Sequence, residues 1–221
     1  MGAAIGSILG EAIGVAISPV PIIAVILMLF STAAKPNSVA FLVGWIAGLA
    51  VVGAIVLATG VASSGGTPSD TSGVVKIVIG VLFIALGVRQ WLGRPRDGDE
   101  PDVPAWMAAI DDFTVVRAFG VGVLLSAVNP KNLGLTLAAA ATIGSSGLTT
   151  GEEYLTLAVY VVLASLTIAI PVILNLALGA RAEHTLDEMK GWLLENNATI
   201  MTVLFVVLGA KVAGSGIAIL A

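Results

Sequence analysis

Cysteine is absent from this 221-residue chain. Disulfides and thiolate metal sites are therefore excluded, and the redox compartment leaves no trace. Charge is scarce: Asp, Glu, Lys and Arg make up 11% of residues, where a soluble domain carries roughly a quarter. The single histidine, His184, sits in a polar stretch without companion ligands, so no metal site is expected. No Walker A sequence occurs, and any pumping must draw on a gradient or a partner. No serine stands in a nucleophile elbow and no histidine is placed to activate one, so neither an enzyme nor a cofactor is expected. The formal charge of −4 comes mostly from acidic residues in connections. Nothing resembles a basic nucleic-acid surface.

Hydrophobic residues are abundant, at 57%, with a mean hydropathy of +1.05. Such composition overrides what length alone suggests and points to a polytopic membrane protein. Apolar runs predict six spans, at residues 4–30, 39–62, 74–92, 117–143, 154–178 and 198–218. The breaks between them cover residues 35–38, 63–72, 93–114, 145–151 and 181–197. The first apolar stretch lacks the basic flank of a signal peptide, and Ser31-Thr32-Ala33-Ala34 only faintly suggests a cleavage site, so the stretch reads as a retained span. Cation placement sets the orientation. With the N-terminus outside, the cytoplasmic side holds Lys35, Arg89, Arg94, Arg96, Arg117, Arg181 and Lys190, against Lys76 alone outside. Both termini then face outward.

The halves repeat. Val81-Leu82-Phe83-Ile84-Ala85-Leu86-Gly87-Val88-Arg89 matches Val203-Leu204-Phe205-Val206-Val207-Leu208-Gly209-Ala210-Lys211 at five of nine positions, with an offset of 122. Two three-helix units of odd helix number must insert in opposite senses. The expected fold is all-α, six transmembrane helices as two inverted repeats: residues 1–92, a cytoplasmic linker at 93–116, and residues 117–221.

Two proline-containing segments lie at matching places, 111 residues apart: Ser18-Pro19-Val20-Pro21 in span 1 and Asn129-Pro130-Lys131-Asn132 in span 4. Proline removes a backbone donor and clashes with the preceding turn, and in lipid a freed carbonyl survives only where protein or a wet cavity satisfies it. The segments are either simple kinks or the halves of a discontinuous-helix transport site. In the second case Ser18, Pro19, Pro21, Asn129, Pro130, Lys131, Asn132 and Thr136 line the site. Lys131 then binds an anionic group or pairs with Glu11; the alternative is a static buried pair. Glu11 shares a helical face with Ser18 and either carries a proton or reaches interfacial water. Thr167, Pro171 and Asn175 give span 5 a polar stripe that lines a cavity or bonds to neighbouring helices. Arg89 and Lys211 occupy equivalent positions near helix ends and read as snorkelling cations.

Gly6, Gly10 and Gly14 form a stripe of small residues, and Gly44-Trp45-Ile46-Ala47-Gly48 is a GxxxG. Both mark close helix packing, within one protomer or in a homodimer. In the linker, Trp106, Ile110 and Phe113 follow helical spacing opposite Asp111 and Asp112. This predicts a short amphipathic helix on the cytoplasmic face with Trp106 as interfacial anchor.

The run from Ala12 to Ile22 followed by Phe41-Leu42-Val43-Gly44-Trp45 resembles the first two helices of the GAP family, the peptidoglycolipid- or sulfolipid-addressing proteins of actinobacteria within the lysine-exporter superfamily. Pro104-Ala105-Trp106-Met107, Ile110-Asp111 and Asn129-Pro130-Lys131-Asn132-Leu133 are similar to that family's most distinctive block. The resemblance implies a six-helix inner-membrane exporter associated with moving complex glycolipids toward the envelope, with Pro19, Pro21, Asn129, Pro130 and Lys131 at its site. Glu11 and Asn175 rest on physical argument alone. The function expected is an exporter or flippase for an envelope lipid or glycolipid working by alternating access. A small-solute or ion exporter of the same architecture is one alternative. An accessory scaffold for a larger lipid exporter is another.

Overall fold

The computed structural model describes residues 1–60, 70–94 and 105–221. Among them every regular element is a helix. In chain order these are α1 (Gly2–Ala16), α2 (Pro19–Phe30), α3 (Ala34–Thr59), α4 (Asp70–Leu92), a 3₁₀ helix (Ala105–Asp112), α5 (Val115–Val123), a π-helical turn (Leu124–Val128), α6 (Pro130–Gly144), α7 (Thr150–Leu178), a 3₁₀ turn (Gly179–Ala182) and α8 (Glu183–Leu220). Three of them (α3, α7 and α8) are long and apolar enough to cross a membrane, and α1 with α2 makes a fourth if the pair, bent by 55°, is one span. Large apolar side chains such as Val51, Ile55, Val162 and Ile173 are more than half exposed. A surface of that kind belongs in lipid. The chain is an all-helical membrane protein.

Two groups of residues cluster by contact. The first takes residues 1–64 and 103–191, the second residues 65–102 and 192–221. In the first, α3 packs against α5, α6 and α7, and α1 packs against α6 and α7. Small residues permit the tightest of these contacts. A Cβ on Gly44 would land on the Phe119 carbonyl, one on Gly122 on the Phe41 carbonyl, and one on Gly48 on Ser126 Oγ. The GxxxG of span 2 therefore works within the protomer, as a seat for α5. Gly44 at Phe119, Trp45 at Gly122 and Gly48 at Ser126 advance together, so α3 and α5 run in the same direction. The other stripe is not uniform: Gly14 meets Leu135 of α6, whereas Gly6 faces open space.

In the second group, α4 and the later part of α8 form an antiparallel pair. Gly73 lies against Gly216 and Gly80 against Gly209; Gly87 meets Thr202, whose hydroxyl donates to its carbonyl at 3.3 Å. The steps are seven residues on both helices, close to two turns. A Cβ on Gly80 would stand 2.6 Å from the Gly209 carbonyl oxygen. The Phe83 and Phe205 rings meet at a tilt of 32°, 5.9 Å between centroids.

Two expectations change. Residues 181–197, expected as a connection, are a short 3₁₀ turn followed by the first four turns of α8. His184 accordingly sits in a helix, where its Nδ1 approaches Glu188 at 3.4 Å. Polar sequence was the reason to expect a loop, yet Glu, Leu, Met and Lys are good helix formers. The linker segment is 3₁₀ rather than α, and it packs on α2. Its buried residues are Met107 and Ile110, while Trp106 is half-buried; Pro104 lies outside the described residues. The Phe113 carbonyl accepts from Asn37 Nδ2 at 2.7 Å, which ties the linker to α3.

Candidate functional site

The site is built from what two prolines remove. Pro19 and Pro21 occupy the first turn of α2, where an N–H has no partner inside its own helix. The donors are missed upstream, at the end of α1. In an uninterrupted helix Pro19 would serve the Val15 carbonyl and Pro21 the Ile17 carbonyl. The chain turns sharply instead. Ile17 has φ −80° and ψ 78°, and Ser18 N–H donates to the Ala16 carbonyl at 2.9 Å, an inverse γ-turn. That diversion leaves the Gly14 carbonyl without its usual partner, Ser18 N–H.

Every carbonyl at this break finds a donor, as a buried polar group must. Lys131 Nζ donates to the Gly14 carbonyl at 2.8 Å and to the Ile17 carbonyl at 2.9 Å. Ser18 Oγ donates to the Val15 carbonyl at 2.6 Å. Thr167 Oγ1, from α7, donates to the Ala16 carbonyl at 2.6 Å. Lys131 Nζ also donates to Ser18 Oγ at 2.8 Å, which uses the third ammonium hydrogen. The C-terminal end of α1 carries partial negative charge from its unsatisfied carbonyls, so a cation there is favoured. Lys131 is 6% exposed and Ser18 3% exposed; at that burial the three bonds are what make the charge tolerable.

The second break serves itself. In the π-helical turn before Pro130, Asn129 N–H reaches back five residues to the Leu124 carbonyl at 3.1 Å. The next donor in that register would be Pro130, which has none, and Asn132 Nδ2 takes the waiting Leu125 carbonyl at 2.9 Å. Asn129 caps α6, its Oδ1 accepting from Lys131 N–H at 3.0 Å. Asn132 Oδ1 lies 3.2 Å from Ser18 Oγ, so both breaks meet at one serine. The polar node continues through Thr136, which donates to the Asn132 carbonyl at 2.8 Å and stands 3.0 Å from the Tyr160 hydroxyl. Since the Thr136 hydrogen is used, Tyr160 donates to Thr136.

The structure thus brings together Ser18, Pro19, Pro21, Asn129, Pro130, Lys131, Asn132 and Thr136. Glu11 is buried at 7% exposure on α1. Asn175 is half-buried, two turns beyond Thr167 and outside this node. Thr167 and Tyr160 are the residues that sequence reasoning undervalued. They are seven apart on α7 and so share a face, which is the signal that could have found them.

Residues 8–218 match the family of Sap, sulfolipid-1-addressing protein. The chain belongs to that family. No curated protein and no solved structure matches it. Membership in the sulfolipid-1-addressing family places the chain in lipid-related transport at the cell envelope. The matched stretch spans both proline segments and the node between them.

Proposed function

We propose that this protein is an inner-membrane exporter or flippase that moves an envelope lipid or glycolipid by alternating access between two inverted three-helix repeats. The observation that carries this reading is the meeting of the two proline breaks, with Lys131 of one holding the freed carbonyls of the other. Breaks paired near the membrane midplane are where transporters of repeated architecture place their sites. An anionic head group arriving beside Ser18 offers the ammonium charge-assisted bonds stronger than those to carbonyls. It would draw Lys131 away from α1 and unlatch the breaks. A shallow, outward-open apolar depression of about 420 Å³, lined by Pro36, Val39, Val43, Val116 and Phe119, lies between the starts of α3 and α5 and suits contact with acyl chains.

Helix packing supports the inverted repeat, residues 1–92 against 117–221. The packing of α3 on α5 has its counterpart in that of α7 on α1, and α3 on α6 corresponds to α7 on α2. Shifting by 122 residues carries the Gly80–Gly209 contact onto Gly87–Thr202. In this topology the turn after α2 is cytoplasmic and the turn after α6 is external. The cysteine-free chain makes the check simple. In intact cells Ser146→Cys reacts with an impermeant maleimide, whereas Thr32→Cys reacts only after permeabilisation; labelling of both from one side overturns the topology.

Transport itself is tested in proteoliposomes carrying a fluorescent anionic glycolipid. Wild-type protein accelerates its movement between leaflets, and Lys131→Ala, reconstituted to the same level, does not. A wild-type protein that moves nothing unaided would leave the scaffold reading in place, with a larger lipid exporter as partner.

A further inference from the structure

The atoms around Lys131 Nζ form more than a set of hydrogen bonds. Two backbone carbonyls, Gly14 and Ile17, and one hydroxyl, Ser18, converge on a single point at 2.8–2.9 Å. The Asn132 carboxamide oxygen stands directly behind Ser18. The Val15 carbonyl stands there too, held by the serine hydrogen. All the direct ligands are neutral oxygens, two come from an unwound segment, and the site caps the negative end of a helix dipole. Unwound carbonyls at a helix C-terminal end are how discontinuous transporter helices coordinate coupling cations. Rings of carbonyls replace the hydration shell of potassium in the same way. A primary ammonium is a monovalent cation of similar size, delivered here on a tether.

We propose that this oxygen cage is a monovalent-cation site whose built-in occupant is Lys131: when the side chain is removed or drawn away, Na⁺ or K⁺ takes its place. The cage stands on geometry alone; only its exchange during turnover rests on the export reading above. With Lys131 seated, the wild type needs neither ion at this site. Once a cargo has taken the ammonium, the carbonyls of α1 face the same deficit that the proline doublet created. A mobile cation then restores the balance.

Thermal unfolding of purified full-length protein tests the cage without any transport measurement. Wild type, Lys131→Met and Lys131→Ala are compared in NaCl, KCl and N-methyl-D-glucamine chloride at equal ionic strength. Wild type should unfold at one temperature in all three. Either variant should gain roughly 5–10 °C in Na⁺ or K⁺ once the ion reaches about a hundred times its dissociation constant. Adding Ser18→Ala to Lys131→Met removes a ligand and should abolish most of that gain. Variants as indifferent to the cation as wild type would overturn the proposal. So would a gain that survives loss of Ser18, or failure of both lysine variants to fold in all three salts. None of these results bears on whether the wild type moves lipid, so the two readings fail separately.

Discussion

Gly44→Val unfolds well below wild type, because the new side chain has no room short of moving α5. The glycine packs directly on the Phe119 carbonyl, and its neighbours in the seam, Gly48 and Gly122, pack equally closely on Ser126 and the Phe41 carbonyl. In membranes helix association depends on such close backbone approach, since lipid tails are as apolar as leucine and supply little hydrophobic drive. Overpacking of a rigid contact costs about 1–3 kcal/mol. A loss near the top of that range lowers the unfolding temperature of a chain this size by roughly 6–12 °C. Gly6→Val is the internal control: that glycine faces open space, and its variant should unfold with the wild type. Thermal unfolding of the two purified variants decides the matter. If Gly44→Val matches wild type, α3 and α5 do not meet at Gly44.

Lys131→Met, measured without Na⁺ or K⁺, loses about 2–4 kcal/mol of stability. Methionine fills similar space but donates nothing, so the Gly14 and Ile17 carbonyls are left buried and unpaired. Each such acceptor costs about 1–3 kcal/mol. Removing a charge from the interior offsets part of that loss, which keeps the sum below its upper bound. Lys131→Arg should not restore stability in full. A guanidinium is a planar fork suited to carboxylates, whereas the oxygens here converge on one point. Stability of both variants equal to wild type would show that the ammonium does not hold the break.

Much of the fold could be read from composition and spacing. The prolines located both breaks to the residue, and the GxxxG located the α3 face that receives α5. The five residues shared by residues 81–89 and 203–211 suggested a repeat, and α4 and α8 meet through glycines on the same seven-residue step. Polarity misled at residues 181–197, because a helix that leaves the apolar layer need not stop being a helix. Spacing misled at the linker: the pattern of Trp106, Ile110 and Phe113 suited an α-helix, but contact with α2 selects Met107 and Ile110 in a 3₁₀ form.

The site was half legible. Sequence showed that carbonyls would be freed near Ser18 and that a cation stood near Pro130, but not that one satisfies the other. That pairing joins residues more than a hundred positions apart, and only the packing of α1 on α6 makes it. The same applies to Thr167, whose hydroxyl reaches Ala16 from α7.

The two breaks are unequal in what they owe to their surroundings. The Asn129–Pro130 break carries its own repairs, Asn129 and Asn132, within a few residues. The Ser18–Pro19 break relies on side chains from α6 and α7. Withdrawal of α6 therefore leaves one side self-contained and the other thirsty. If Lys131 leaves α1, the Gly14 and Ile17 carbonyls must be met by water or by the cation proposed above, while the other break keeps the donors it already has.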